Sequence, residues 1–322
     1  MEKLLVTPSP HISHQDTSRG IMADVLIALL PAVVGGCFIF GWRPILVMLT
    51  CIVTAVLAEY LCCKIMKRPV SVGDLSAVVT GLILALNLPP AIPLWIAAIG
   101  SLVAIVVVKE MFGGLGHNFA NPAITARIVL LVSFPAYMST WTAPLGSTSE
   151  IVSSATSPGE TVDIMTSATP LSHTALEGGY YSYKQLFMGQ IPGCIGETFS
   201  LLIILGGLYL ILRRVITPTI PLSFVGTVAL LSFLAGDDPL YMILSGGLLF
   251  GAFFMATDYV TSPTGWKGQL IFGVGCGLIT FVIRKFGSLP EGVSYAILIM
   301  NLFVYYIDKI TLPKAFGEGA RS

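Results

Sequence analysis

Charge is scarce in this sequence. Asp, Glu, Lys and Arg make up 11% of its 322 residues, about half the usual share, while 55% are hydrophobic. A soluble domain of this length has too little interior to hide so much apolar surface, so the bilayer must act as its solvent. No basic run could track phosphates, which excludes nucleic acid as a partner. The six cysteines are Cys37, Cys51, Cys62, Cys63, Cys194 and Cys276, and none forms a Cys-x-x-Cys pair. Cys62 and Cys63 point to different faces of a helix, so this chain alone does not supply four thiolates to zinc or an iron–sulfur cluster. A Rossmann glycine fingerprint is missing too. The polar start, residues 1–20, lacks the apolar region and small-residue cut site of a cleavable signal, and is expected to stay attached.

What the chain does have is apolar segments. Runs read against Gly/Pro breakers fall at about 21–40, 43–63, 75–89, 92–112 and 122–141, then 198–217, 220–236, 239–257, 268–284 and 291–308. This is the pattern of an all-α polytopic membrane protein with about ten transmembrane helices. Short, interrupted segments such as 75–89, ending Asn87-Leu-Pro-Pro90, read as broken helices, which are tolerated only inside a bundle or beside a cavity. With the N-terminus in the cytoplasm, thirteen of the seventeen Lys and Arg lie on or near that face. The exceptions are Arg43, Lys184, Arg284 and Lys285, and the asymmetry follows the positive-inside rule. The expected organisation is a cytoplasmic segment 1–20, a first five-span unit 21–141, an extracytoplasmic polar loop 142–197, a second five-span unit 198–308 and a cytoplasmic tail 309–322.

The halves echo one another. Gly81-Leu-Ile-Leu-Ala-Leu-Asn87 in the third span resembles Gly251-Ala-Phe-Phe-Met-Ala-Thr-Asp258 in the eighth. The spans that follow end in Lys109-Glu-Met-Phe-Gly-Gly114 and Arg284-Lys-Phe-Gly-Ser288. An odd number of spans per half makes the second inverted relative to the first, the usual build of proteins with a site near the membrane midplane. Two inverted five-helix repeats enclosing a solute path, a transporter or channel, are one reading of this pattern. A structural membrane scaffold is another.

The polar loop between the halves is far longer than a connection needs, which points to function. It holds Asp163-Ile-Met-Thr166-Ser167-Ala168-Thr169-Pro-Leu. Small residues leave the backbone open around two hydroxyls, Asp163 lies within local hydrogen-bonding reach, and Pro170 ends any helix. A threonine hydroxyl is a poor nucleophile without a base or metal, so an accessible Thr here reads as a modification site. A near-copy, Glu150-Ile-Val-Ser-Ser-Ala-Thr156, lies upstream.

The loop string resembles the flavinylation motif, roughly Asp-x-x-Ser-Gly-Ala-Thr, of the NqrB/RnfD family of membrane subunits in ion-translocating electron-transfer complexes. Asp163, Ala168 and Thr169 match; Thr166 stands for Ser and Ser167 for Gly, the larger departure because Gly permits backbone angles that Ser avoids. Gly113-Gly-Leu-Gly-His-Asn118-Phe-Ala-Asn121-Pro resembles the family's first-half signature. Met255-Ala-Thr257-Asp258-Tyr-Val-Thr-Ser-Pro263, Arg284 to Val293 and Met300-Asn301 resemble the second. The likeness covers nearly the whole chain, and the short segment before the first span resembles the RnfD side. It implies FMN esterified through its phosphate to Thr169 by a flavin transferase, and a second, non-covalent flavin, riboflavin, in the membrane part. It implies partners as well: iron–sulfur and flavin subunits of an Rnf-type complex in a bacterial inner membrane. Such a chain takes part in ferredoxin:NAD+ oxidoreduction without being catalytic alone.

Polar groups at membrane depth default to functional hypotheses. Glu59, Arg127, Asp24, Lys109, Glu110 and Asp258 lie in or near spans, and Lys109 and Glu110 read as span-end residues that snorkel to the interface. Asn118 and Asn121 cluster at the break of the first half, Thr257 and Asp258 at that of the second. Asn offers both a donor and an acceptor to a flavin ring, so these four are the candidate riboflavin site. His117 stands alone, without the company a metal site needs.

Overall fold

A hydroxyl starts the first helix. In the computed structural model Thr17 Oγ1 accepts from the Gly20 N–H at 3.1 Å, and α1 follows over Ser18–Phe40. The structure describes residues 17–69, 71–142, 144, 170–171, 181–287 and 292–311. The flavinylation-like string Asp163–Thr169 and its near-copy Glu150–Thr156 lie outside the described residues. Among the described residues there is no strand.

The first half contains α1, α2 (Arg43–Ile65) and α3 (Ser76–Leu86). Next come α4 (Leu94–Leu102, continued by a π-helix Val103–Glu110), α5 (Pro122–Ser133) and α6 (Pro135–Met138). The short α7 (Tyr183–Met188) precedes the second half, which has α8 (Ser200–Leu212), α9 (Thr219–Leu234) and α10 (Pro239–Leu244). It ends with α11 (Leu248–Phe250, continued by a π-helix Gly251–Met255), α12 (Trp266–Phe286) and α13 (Val293–Thr311). Four helices, α1, α2, α12 and α13, are long and apolar enough to cross a bilayer. This is an all-helical, multi-pass membrane protein. Several other expected spans are shorter or interrupted: 122–141 stops being α5 at Ser133 before Phe134-Pro135, and 239–257 is split into α10 and α11.

The breaks have sequence causes. Asn87-Leu-Pro-Pro90 cannot continue α3, because proline lacks the N–H and disfavours helix in the residue before it. In the second half Gly246 turns the chain at φ +63°, a left-handed angle that suits glycine. Irregular backbone at depth needs partners, and the segment before α8 supplies them. Gly196 N donates to Leu86 O at 2.7 Å and Ile195 N to Leu88 O at 3.1 Å. At the other break Arg284 donates to Met242 O (2.7 Å) and Ser245 O (3.1 Å). Two exceptions to the charge asymmetry therefore have partners: Arg284 is buried on those carbonyls, and Lys285 pairs with Asp237 at 2.7 Å.

Small residues let the helices approach closely, as is usual in membranes. Gly273 and Gly277 of α12 face Ser223 and Thr227 of α9. Gly206 of α8 meets the Ala28 carbonyl of α1, joining the halves. A single large core cluster draws on both halves. The two echoing segments also end against each other, Asn87 Nδ2 reaching Met255 S at 3.2 Å.

Candidate functional site

Asn118, Asn121, Thr257 and Asp258 line one cavity between the halves. Its empty volume is about 860 Å³, part of it open to the surroundings, within the range of small-molecule sites. α1 contributes Ile21, Met22 and Val25; α3 contributes Ser76, Val79, Thr80 and Ile83; Phe253 and Phe254 come from the second π-helix. The wall is mostly apolar with a few polar groups, the usual make-up of a ligand site.

The four residues are not equally available to a ligand. Asn121 is the N-cap of α5: its Oδ1 accepts from Ala123 N (3.0 Å) and Ile124 N (3.3 Å), with Pro122 following at the first helical position. Its Nδ2 donates to Met255 O at 3.2 Å, so the side chain is spent on tying the α5 start to the second π-helix. Asn118 donates to Ala120 O at 3.1 Å, and its side-chain oxygen accepts nothing among the described residues. Thr257 donates to Phe253 O at 2.7 Å. The Asp258 carboxylate accepts from the Thr261 hydroxyl at 3.0 Å. Asn118 and Asp258 therefore retain hydrogen-bonding capacity toward the cavity, and Asn121 is chiefly its frame.

Lys109 also lines this cavity, a wall position that residue order does not announce. Lys109 and Glu110, expected to snorkel, are instead buried, each 2% exposed. Lys109 Nζ lies 3.1 Å from Glu59 Oε2 and donates to Ser76 Oγ at 2.6 Å. Glu59, wholly buried, also accepts from the Ser71 hydroxyl at 2.5 Å. The reason is packing: α4 runs against α2, and Glu59 is the partner that keeps Lys109 from needing water.

A second buried polar junction involves Arg127. Its Nη2 pairs with Glu197 at 3.0 Å, and its Nη1 donates to Asn87 (3.1 Å) and Ser294 (3.0 Å). Glu197, grouped in sequence with the acids of the polar loop, is thus buried against α5. Beside it lies a smaller hollow of about 250 Å³, lined among others by Trp141, Pro170, Pro192 and Thr198. Pro170 directly follows Thr169 in sequence. Its carbonyl accepts from the Tyr241 hydroxyl at 3.1 Å, and Leu171 is buried against Gly246. Nearby, outside the spans, Tyr183 donates to Asp238, and that hydrogen bond holds the phenol pKa above its usual value.

Elsewhere, Asp24 pairs with Arg213 at 3.0 Å and accepts from Tyr209 at 3.0 Å, well apart from the cavity wall residues. His117 is exposed in the glycine turn after α4.

The chain matches the model of the NQR2, RnfD, RnfE family over residues 5–317. It is 43% identical over 319 residues to the D subunit of the Na(+)-translocating ferredoxin:NAD(+) oxidoreductase complex of Acetobacterium woodii, covering 98% of this chain and 95% of the relative. It is 42% identical over 331 residues to the D subunit of the proton-translocating ferredoxin:NAD(+) oxidoreductase complex of Clostridium ljungdahlii, covering 97% and 96%. The D subunit of the ion-translocating oxidoreductase complex of Stutzerimonas stutzeri is 41% identical over 331 residues, covering 94% and 92%.

Proposed function

The chain belongs to the NQR2, RnfD, RnfE family, and we propose on that premise that it is the flavin-bearing D subunit of an ion-translocating ferredoxin:NAD+ oxidoreductase complex. The observation that carries this reading is near-full-length likeness to relatives named as that subunit. The string Asp163 to Thr169 supports covalent FMN, joined through its phosphate to the Thr169 hydroxyl by a flavin transferase. The cavity supports a non-covalent riboflavin, with Asn118 and Asp258 offering it polar contacts and the apolar wall excluding water. Bound flavins would supply the electron-carrying chemistry, while the protein contributes binding, orientation and electrostatics.

In this reading the polar loop 142–197 faces the outside of the inner membrane and both termini face the cytoplasm. The two halves are inverted five-span units, which places the cavity at their interface. Iron–sulfur and flavin subunits deliver and remove the electrons. The relatives named for Na+ and for protons resemble this chain almost equally, so the coupling ion is a property of few positions rather than of the fold.

In-gel flavin fluorescence after full denaturation tests the covalent step, using wild type and Thr169→Ala from a host expressing the transferase. The wild-type band is expected to fluoresce and the variant band to be dark. Two fluorescent bands would move the ester to Thr156. A dark wild-type band, with the transferase active on another substrate, would overturn the flavin reading in favour of a transporter.

A further inference from the structure

Among the described residues, Lys109 is the one cation on the cavity wall, and Asp258 the one anion. Lys109 lies in the π-helix Val103–Glu110, a distortion found mostly at functional sites. The Glu59–Lys109 pair is buried, and a buried ion pair is weak support for stability because desolvation offsets its attraction. Glu59 and Ser76 engage two of the three N–H donors of the ammonium. The polar end of the cavity, with Ser76 and Lys109, grades into an apolar end at Ile83. Ser76 to Ile83 is seven residues along α3, about 10 Å at 1.5 Å per residue, a length suited to a fused tricyclic ring laid against the helix.

We infer that Lys109 is a positioning residue for the cavity flavin, its remaining N–H donating to the acceptor-rich pyrimidine edge of the ring while Glu59 holds the ammonium in place. This rests on the riboflavin reading of the cavity. A fixed positive charge there favours the reduced ring, which gains negative charge, and so raises its reduction potential. Glu59, one charge further from the ligand, opposes that effect.

The test uses the assembled complex in a Thr169→Ala background, which removes the covalent flavin signal. Non-covalent flavin per polypeptide and its midpoint potential are measured for Lys109→Gln, Lys109→Arg, Glu59→Gln and the charge-balanced double Lys109→Gln/Glu59→Gln. Lys109→Gln is expected to bind flavin about tenfold more weakly, the loss of one charged hydrogen bond, and to move the potential to more negative values. Glu59→Gln moves it to more positive values, and Lys109→Arg retains flavin. Opposite signs for the two charges are a signature that a purely structural pair does not give. Should Lys109→Gln fail to assemble, the double variant leaves no buried charge unpaired and still shows weaker binding. Unchanged content and potential in the double variant would overturn the role of Lys109 while leaving the riboflavin reading intact. Absence of non-covalent flavin before any change at Lys109 or Glu59 would overturn both.

Discussion

Arg127 and Glu197 meet 3.0 Å apart, both buried, where α5, the end of the polar loop and the break after α3 converge. Through Asn87 and Ser294 the same guanidinium reaches the C-terminus of α3 and the start of α13. Removing one partner of a buried pair leaves the other charge uncompensated, which costs about 3–5 kcal/mol, whereas replacing both with apolar groups is often near neutral. Arg127→Met should therefore sharply lower the melting temperature in detergent, and Arg127→Met/Glu197→Met should recover most of the loss. A double variant no better than the single one would assign the effect to the hydrogen bonds with Asn87 and Ser294.

The junction of α1 and α8 gives a prediction of opposite sign for two glycines. A Cβ on Gly206 would lie 2.2 Å from the Ala28 carbonyl oxygen, a backbone atom that moves only if the helices separate. Gly206→Ala is expected to destabilise by about 1–3 kcal/mol, the usual range for overpacking. A Cβ on Gly226, inside α9, meets nothing within 4 Å. Gly226→Ala should be neutral or stabilise by up to about 1 kcal/mol, through helix propensity. Thermal unfolding of both variants under one detergent condition decides it. Equal losses would mean that α1 and α8 can separate at little cost.

Much of this arrangement was legible from residue order. Pro89-Pro90 marks the end of α3, Asn121-Pro122 marks the start of α5, and the two polar clusters at the half-breaks do face a common cavity. Lys109 was not legible as a wall residue. A lysine followed by a glutamate at the end of an apolar run reads as an interfacial pair, and its partner Glu59 is about fifty positions away on α2. The π register that buries both Lys109 and Glu110 leaves no mark in the apolar pattern. Glu197 was hidden for a related reason. Its neighbours Ile195 and Gly196 are drawn inward by the backbone groups that the broken α3 leaves open, a demand no local pattern announces. The motif residues Asp163, Thr166, Ser167, Ala168 and Thr169 rest on the sequence resemblance.

Asn121 and Asp258 border the same cavity in different ways, and their variants should separate frame from contact. Asn121→Ala removes a helix N-cap, about 1 kcal/mol, and leaves the Met255 carbonyl without its side-chain donor, about a further 1–3 kcal/mol if buried. It should lower stability and non-covalent flavin content together. Asn121→Asp keeps the cap acceptor but loses the donor, so it should fall between. Asp258→Ala removes a carboxylate whose described side-chain partner is Thr261, a short-range contact within the same turn. Its melting temperature should stay near that of the unchanged protein while its non-covalent flavin content drops. The check is flavin released on denaturation, per polypeptide, beside a melting curve for each variant. Full flavin content in both Asn121→Ala and Asp258→Ala would remove this cavity as the flavin seat, because the frame and the polar contact would then both be dispensable.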